Sequence, residues 1–117
     1  MNNKLNIQVG GGFDAVSRRV ADAWRRAERG EHFREDNLTF VSWESLSRVM
    51  TPKRFELLRH LHRQPAASVA ALARSIGRDY KRVHEDVEAL VAAGLVERDS
   101  TGLRAEYDEI HTVIAVS

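Results

Sequence analysis

Apolar and polar residues alternate along Leu5-Asn6-Ile7-Gln8-Val9, the period of a strand with one buried face, and Gly10-Gly11-Gly12 stops the run as a hinge. The period then changes. From Phe13 to Arg29 the apolar positions Phe13, Val16, Val20, Trp24 and Ala27 recur every three or four residues, while Arg18, Arg19, Arg25, Arg26 and Arg29 lie largely off that stripe. This spacing predicts an amphipathic helix with a basic outer side. Gly30 to Asn37 is polar, Leu38-Thr39-Phe40-Val41-Ser42 reads as a second strand, and Ser42 can cap a short helix running through Met50. Residues 1–50 are thus expected to form a strand-helix-strand extension.

Thr51-Pro52 is a helix start: threonine accepts from an orphan amide, and proline tolerates the first helical position, where no donor is needed. The helix is expected to turn Phe55, Leu58 and Leu61 inward and to end at Gln64-Pro65, because the residue before proline is pushed out of helical geometry. Ser68 can cap a second helix from Val69 to about Ser75. A third begins at Asp79, with Val83, Val87 and Leu90 inward and Gly94 just past its end, placed so that Leu95 folds back on Leu90. Leu95–Arg98 and Leu103–Tyr107 then flank the turn residues Asp99-Ser100-Thr101-Gly102, the pattern of a β-hairpin, and Ile110–Val116 is a last strand. Three helices followed at once by a hairpin is the winged-helix order. The expected fold is therefore α+β and mainly helical, with a winged helix-turn-helix domain at 51–117, C-terminal strand included.

One triple inside this region has a packing rationale. Ala73 is small enough for two helices to approach, Gly77 can make the turn between them, and Val83 can lock the following helix over the first. In such a motif the outward residues near the start of the second helix meet base edges in the major groove, which here selects Tyr80, Lys81, His84 and Glu85. Lysine can donate to guanine and glutamate can accept from cytosine, whereas tyrosine and histidine bond or stack less selectively. Ser68, Arg78, Arg82 and the hairpin arginines Arg98 and Arg104 are candidates for backbone phosphates. The competing reading is that Lys81 and Arg82 simply pair with Glu85 and Asp86 at helical spacing.

Composition adjusts this picture only slightly. Hydrophobic residues make up 43% and charged residues 30% of the 117 residues, an ordinary globular balance. The net charge of +1 is too small to announce a nucleic-acid partner by itself. Between Thr51 and Ala105, ten lysines and arginines stand against seven aspartates and glutamates, a mild excess that favours a two-fold dimer, which doubles the phosphate contacts. Phe13, Val20, Trp24, Ile110 and Ile114 need apolar cover, supplied either by the monomer core or by a second copy or partner.

Other chemistries find little to work with. There is no cysteine, so no disulfide or thiolate metal site, which fits a reducing compartment. No apolar run approaches the ~20 residues of a membrane span, and no signal-peptide core follows Met1, so no membrane partner and a cytoplasmic location are expected. His60 and His62 are two apart on a helix and point to different sides, so no paired metal site is expected; nor is any cofactor. Gly10-Gly11-Gly12 lacks the lysine and serine or threonine of a phosphate loop. Clustered Glu85, Asp86 and Glu88 read as a solvated helix face, and no enzymatic activity is expected.

With these residues in view, the chain resembles the MarR-like predicted winged-helix regulators of prokaryotes, small proteins often encoded beside toxin genes. The resemblance covers roughly residues 38–110. It rests on Leu38-Thr39-Phe40-Val41-Ser42-Trp43 before Thr51-Pro52-Lys53-Arg54, on the run from Gly77 to Val87, on Gly94-Leu95-Val96-Glu97 and on Tyr107-Asp108-Glu109-Ile110. It implies a regulator of transcription that binds double-stranded DNA as a homodimer, represses its own operon, and can be the antitoxin that binds a cognate toxin. The alternative is a winged-helix docking module for another protein, since fold does not fix function.

Overall fold

The alternation at residues 5–9 is a strand, and it becomes the centre of a sheet. The computed structural model describes residues 3–11, 21, 24, 25 and 34–116. They fall into two units, Met1–Leu46 with Asp108–Ser117, and Ser47–Tyr107. The first is built on β1 (Asn3–Val9), flanked by β2 (Arg34–Phe40) on one side and β5 (Glu109–Ile114) on the other, all parallel. Leu5, Ile7 and Val9 are almost fully buried, each contributing about 1.5–3 kcal/mol. Gln8 is the buried polar residue of this strand, and its amide donates to the carbonyl of Gly10 at 3.1 Å. A reciprocal pair closes the start of the sheet: Asn3 N–H donates to the Asp108 carboxylate and Asp108 N–H to the Asn3 carbonyl, both at 2.8 Å.

Parallel neighbours need long crossovers. Between β1 and β2 that connection is residues 10–33; between β2 and β5 it contains the whole second unit. This corrects the expected division at residue 50, in which the last strand belonged with the helices. Residues 109–114 instead pair with β1, Ile110 opposite Leu5 and Ile114 opposite Val9, so both ends of the chain build one sheet. The second strand also differs, starting at Arg34 rather than Leu38. Its polar beginning is accommodated because register partners Asn6 and Asn37 bond side chain to side chain at 3.3 Å. Most of the predicted helix Phe13–Arg29, including Phe13 and Val20, lies outside the described residues; Ala21, Trp24 and Arg25 are helical and exposed.

After Ser42, whose Oγ accepts from Ser45 N–H, comes α1 (Trp43–Val49). The second unit holds α2 (Pro52–Arg63), α3 (Val69–Ile76), α4 (Tyr80–Ala92) and the antiparallel pair β3 (Glu97–Asp99) and β4 (Gly102–Arg104). Thr51 and Ser68 cap α2 and α3 as their sequence positions predict, and Asp79, the expected start of the third helix, caps α4. At the other end of α4, Gly94 takes a φ of 84° and Leu95 N–H donates to the Leu90 carbonyl at 2.9 Å, tucking Leu95 into the core. The inward face of α2 is Leu57, Leu58 and Leu61, not Phe55, which is 45% exposed with the Arg59 guanidinium over its ring. The stripe is rotated toward Leu57 because Arg54, near its middle, is drawn inward by an acid on α4.

Ala66 adds a short third rung to the hairpin, exchanging two backbone hydrogen bonds with Leu103 at 2.7 and 3.0 Å. Gly102 makes this approach feasible. Its φ is 126°, and a Cβ there would lie 2.2 Å from the Ala66 carbonyl oxygen. No helix among the described residues is long and apolar enough to cross a membrane.

Candidate functional site

The triple singled out in the sequence is a packed joint. Ala73 is buried on α3, Val83 is fully buried on α4, and Gly77 sits between them in left-handed conformation, φ 68° and ψ 34°. Its N–H and that of Arg78 return to carbonyls of the preceding turn, satisfying the end of α3. Nothing lies within 4 Å of a Cβ built at Gly77, so glycine is selected there by backbone angle and not by crowding. The joint fixes which face of α4 is buried, namely Val83, Val87 and Leu90.

The opposite face presents Lys81 and Glu85, one turn apart and both exposed, with Arg82 beside them. Among the described residues none of these three side chains makes a hydrogen bond or ion pair, so the pairing of Lys81 and Arg82 with Glu85 and Asp86, the competing reading of this face, does not form. Tyr80 and His84 lie along one flank, ring centroids 5.9 Å apart. The imidazole of His84 is 3.6 Å from Glu88, whose carboxylate accepts from Arg98 at 2.6 Å. The hydrogen bond from Arg98 holds the Glu88 carboxyl below its ordinary range, and the same bond raises the Arg98 guanidinium.

Asp86 serves as an anchor for α4. One oxygen accepts from Arg54 Nε at 3.0 Å and the other from Arg78 Nη2 at 2.9 Å, with all three side chains largely covered. Arg54 also donates to the carbonyls of Arg48 and Val49, at the open end of α1. Sequence reasoning missed this hub. Its one signal was an arginine near the middle of the apolar stripe of α2.

The residues selected for phosphate contact therefore separate. Arg82 is uncommitted, whereas Arg78 belongs to the Asp86 anchor and Ser68 Oγ accepts from Ala71 N–H as a cap. Arg98 is held by Glu88. Arg104 is enclosed by Glu97 at 3.0 Å, Asp99 at 2.5 Å and Glu106 at 2.8 Å, with Thr101 Oγ1 at 3.3 Å. Hydrogen bonds from Thr101 and Arg104 pull the Asp99 carboxyl down to about 2, and those to Glu106 and Asp99 raise Arg104. Arg74, which sequence reasoning did not select, is exposed on α3 without a partner among the described residues.

Of the apolar positions expected at a dimer or partner surface, Trp24 is 68% and Ile114 48% exposed, while Ile110 is half-buried. His60 and His62 do diverge: His60 meets Ser75 Oγ at 3.2 Å and His62 Nδ1 donates to the Ala105 carbonyl at 2.7 Å. No cluster of three metal-binding side chains occurs among the described residues.

No curated protein and no solved structure matches the chain. The family HVO_A0114 matches residues 49–112, which takes in α2, α3, α4, the hairpin and the first part of β5. That match spans more than half of the chain, and the protein belongs to the HVO_A0114 family.

Proposed function

We propose that this protein is a winged helix-turn-helix regulator that binds double-stranded DNA, with α4 as the element entering the major groove. The observation that carries the reading is the uncommitted charge of Lys81, Arg82 and Glu85 on the outer face of a helix that is otherwise capped, anchored and packed. Lys81 and Glu85 are the base readers, flanked by Tyr80 and His84. Arg82, with Arg74 added on α3, meets the backbone. The hairpin contributes shape in place of phosphate contacts, since Arg98 and Arg104 are already neutralised. Pairing of two copies supplies the second half-site, a need that follows from so few free cations per chain. Autorepression and a toxin partner rest only on the resemblance to MarR-like regulators.

The test is a gel shift with a labelled fragment of the gene's own promoter region, at two salt concentrations, with wild type and Lys81→Glu, Arg82→Glu. Saturable, salt-sensitive binding that the double variant loses supports the reading. Equal affinity for the fragment and for random duplex overturns it and favours the protein-docking alternative.

A further inference from the structure

A cleft of about 240 Å³ opens between α2 and the turn that joins α3 to α4, walled by Lys53, Glu56, Leu57, His60, Arg63, Ile76 and Arg78. Its size is below that of drug-sized pockets, so an occupant is small. Its chemistry is mixed in a way that selects a charge. Lys53 and Arg63 are exposed and make no hydrogen bond or ion pair among the described residues, Glu56 carries one opposing charge, and Arg78 shares the single carboxylate of Asp86 with Arg54. The cations around the cleft therefore outnumber the acids, and it is net positive. Leu57, almost fully buried, and the half-buried Ile76 add an apolar wall, and His60 is held by Ser75.

We propose that this cleft binds a small organic anion, a carboxylate on a short apolar body, with the rim cations Lys53 and Arg63 drawing in the carboxylate and Leu57 and Ile76 covering the apolar part. Occupancy also has a route to α4. Arg78 lines the cleft while its guanidinium holds Asp86, so a carboxylate competes with Asp86 for that guanidinium and loosens the anchor of the helix. This second step rests on the DNA-binding reading; the binding site itself does not.

Hexanoate and hexylammonium, which share an apolar body and differ in charge, are the probes, added to the ¹⁵N-labelled full chain. Hexanoate is expected to give saturable shifts concentrated at the amides of Leu57, Ile76 and Arg78. Hexylammonium is expected to give none there. The exposed-site variant Lys53→Gln, Arg63→Gln, which keeps good helix formers, should weaken hexanoate about tenfold. Equal responses to both probes, shifts scattered over the surface, no saturable shift, or an unchanged affinity in the variant overturns the site. In a parallel gel shift, hexanoate should weaken DNA binding by wild type more than by the variant. Saturable shifts with unaltered DNA affinity support the site and overturn its coupling to α4, and a wild type that binds no DNA leaves the amide shifts as the deciding measurement.

Discussion

Helix α4 and the β3–β4 hairpin both carry arginine or lysine where a DNA-binding domain of this order would want it, yet they dispose of that charge in opposite ways. On α4 the inward acid, Asp86, is consumed by Arg54 and Arg78 from other segments, which leaves Lys81 and Arg82 free on the outside. On the hairpin the acids are local. Register sets Glu97 opposite Arg104, Asp99 closes the turn beside it, and Glu106 follows two residues later, so Arg104 is enclosed by its own neighbours. A positive residue at a suitable position is thus available for a ligand only when its nearest acids have other partners.

The largest effect should come from setting the two regions against each other on DNA. Lys81→Glu, Arg82→Glu is expected to cost at least about a hundredfold in affinity, at roughly 1–3 kcal/mol for each base or phosphate interaction removed. Arg98→Gln, Arg104→Gln, measured in the same titration, should stay within about twofold, because those charges face carboxylates in the free protein. A hairpin variant as weak as the helix variant would erase the distinction.

Glycine substitutions separate the regions next. Gly102→Ala must force a Cβ against the Ala66 carbonyl at a strained φ, and is expected to cost about 2–4 kcal/mol in urea unfolding. Gly77→Ala meets open space and carries only the left-handed backbone penalty, about 1–2 kcal/mol. Equal costs would mean that the hairpin yields without resistance. Between these, Asp86→Asn removes the negative charge and one of the two acceptor oxygens that Arg54 and Arg78 share, and should lower stability by about 1–3 kcal/mol. The loss of that negative charge between two arginines should also raise its affinity for random duplex, which gel shifts against mixed-sequence DNA would read.

Much of this arrangement is legible in the sequence because it is local. Thr51-Pro52, Ser68, Asp79 and Gly94 act through bonds three to five residues away, and the valines and leucine of α4 follow from helical period alone. What depends on distant partners is not. The pairing of Leu5 with Ile110 joins opposite ends of the chain, and β2 begins in Arg34-Glu35-Asp36-Asn37 because backbone bonds to β1 do not require apolar side chains. Phe55 looked inward since an aromatic ring outweighs an arginine in any hydrophobic count, yet Arg54 goes in to meet Asp86, 32 residues away. Arg78, Arg98 and Arg104 were selected by position, and their commitments depend on rotamers and register that spacing does not encode.

The smallest effect should appear in acid, at the hairpin's Asp99. Asp99 has its carboxyl drawn down to about 2 from an ordinary 3.8 by hydrogen bonds from Thr101 and then Arg104. A depressed carboxyl contributes stability that is present above its unfolded value and is lost as pH falls through its folded one, so the hairpin should hold to about pH 4 and loosen toward pH 2. Carboxyl chemical shifts of Asp99, followed with the Thr101 amide, would measure this. A midpoint near 3.8 would show the turn unengaged. Arg104→Gln should raise the midpoint only part of the way, because the larger contribution comes from Thr101. Since Asp99 remains charged well above that window, Arg104 stays enclosed at every pH where DNA binding is measured, and acid titration of Asp99 gives the hairpin no route to a phosphate.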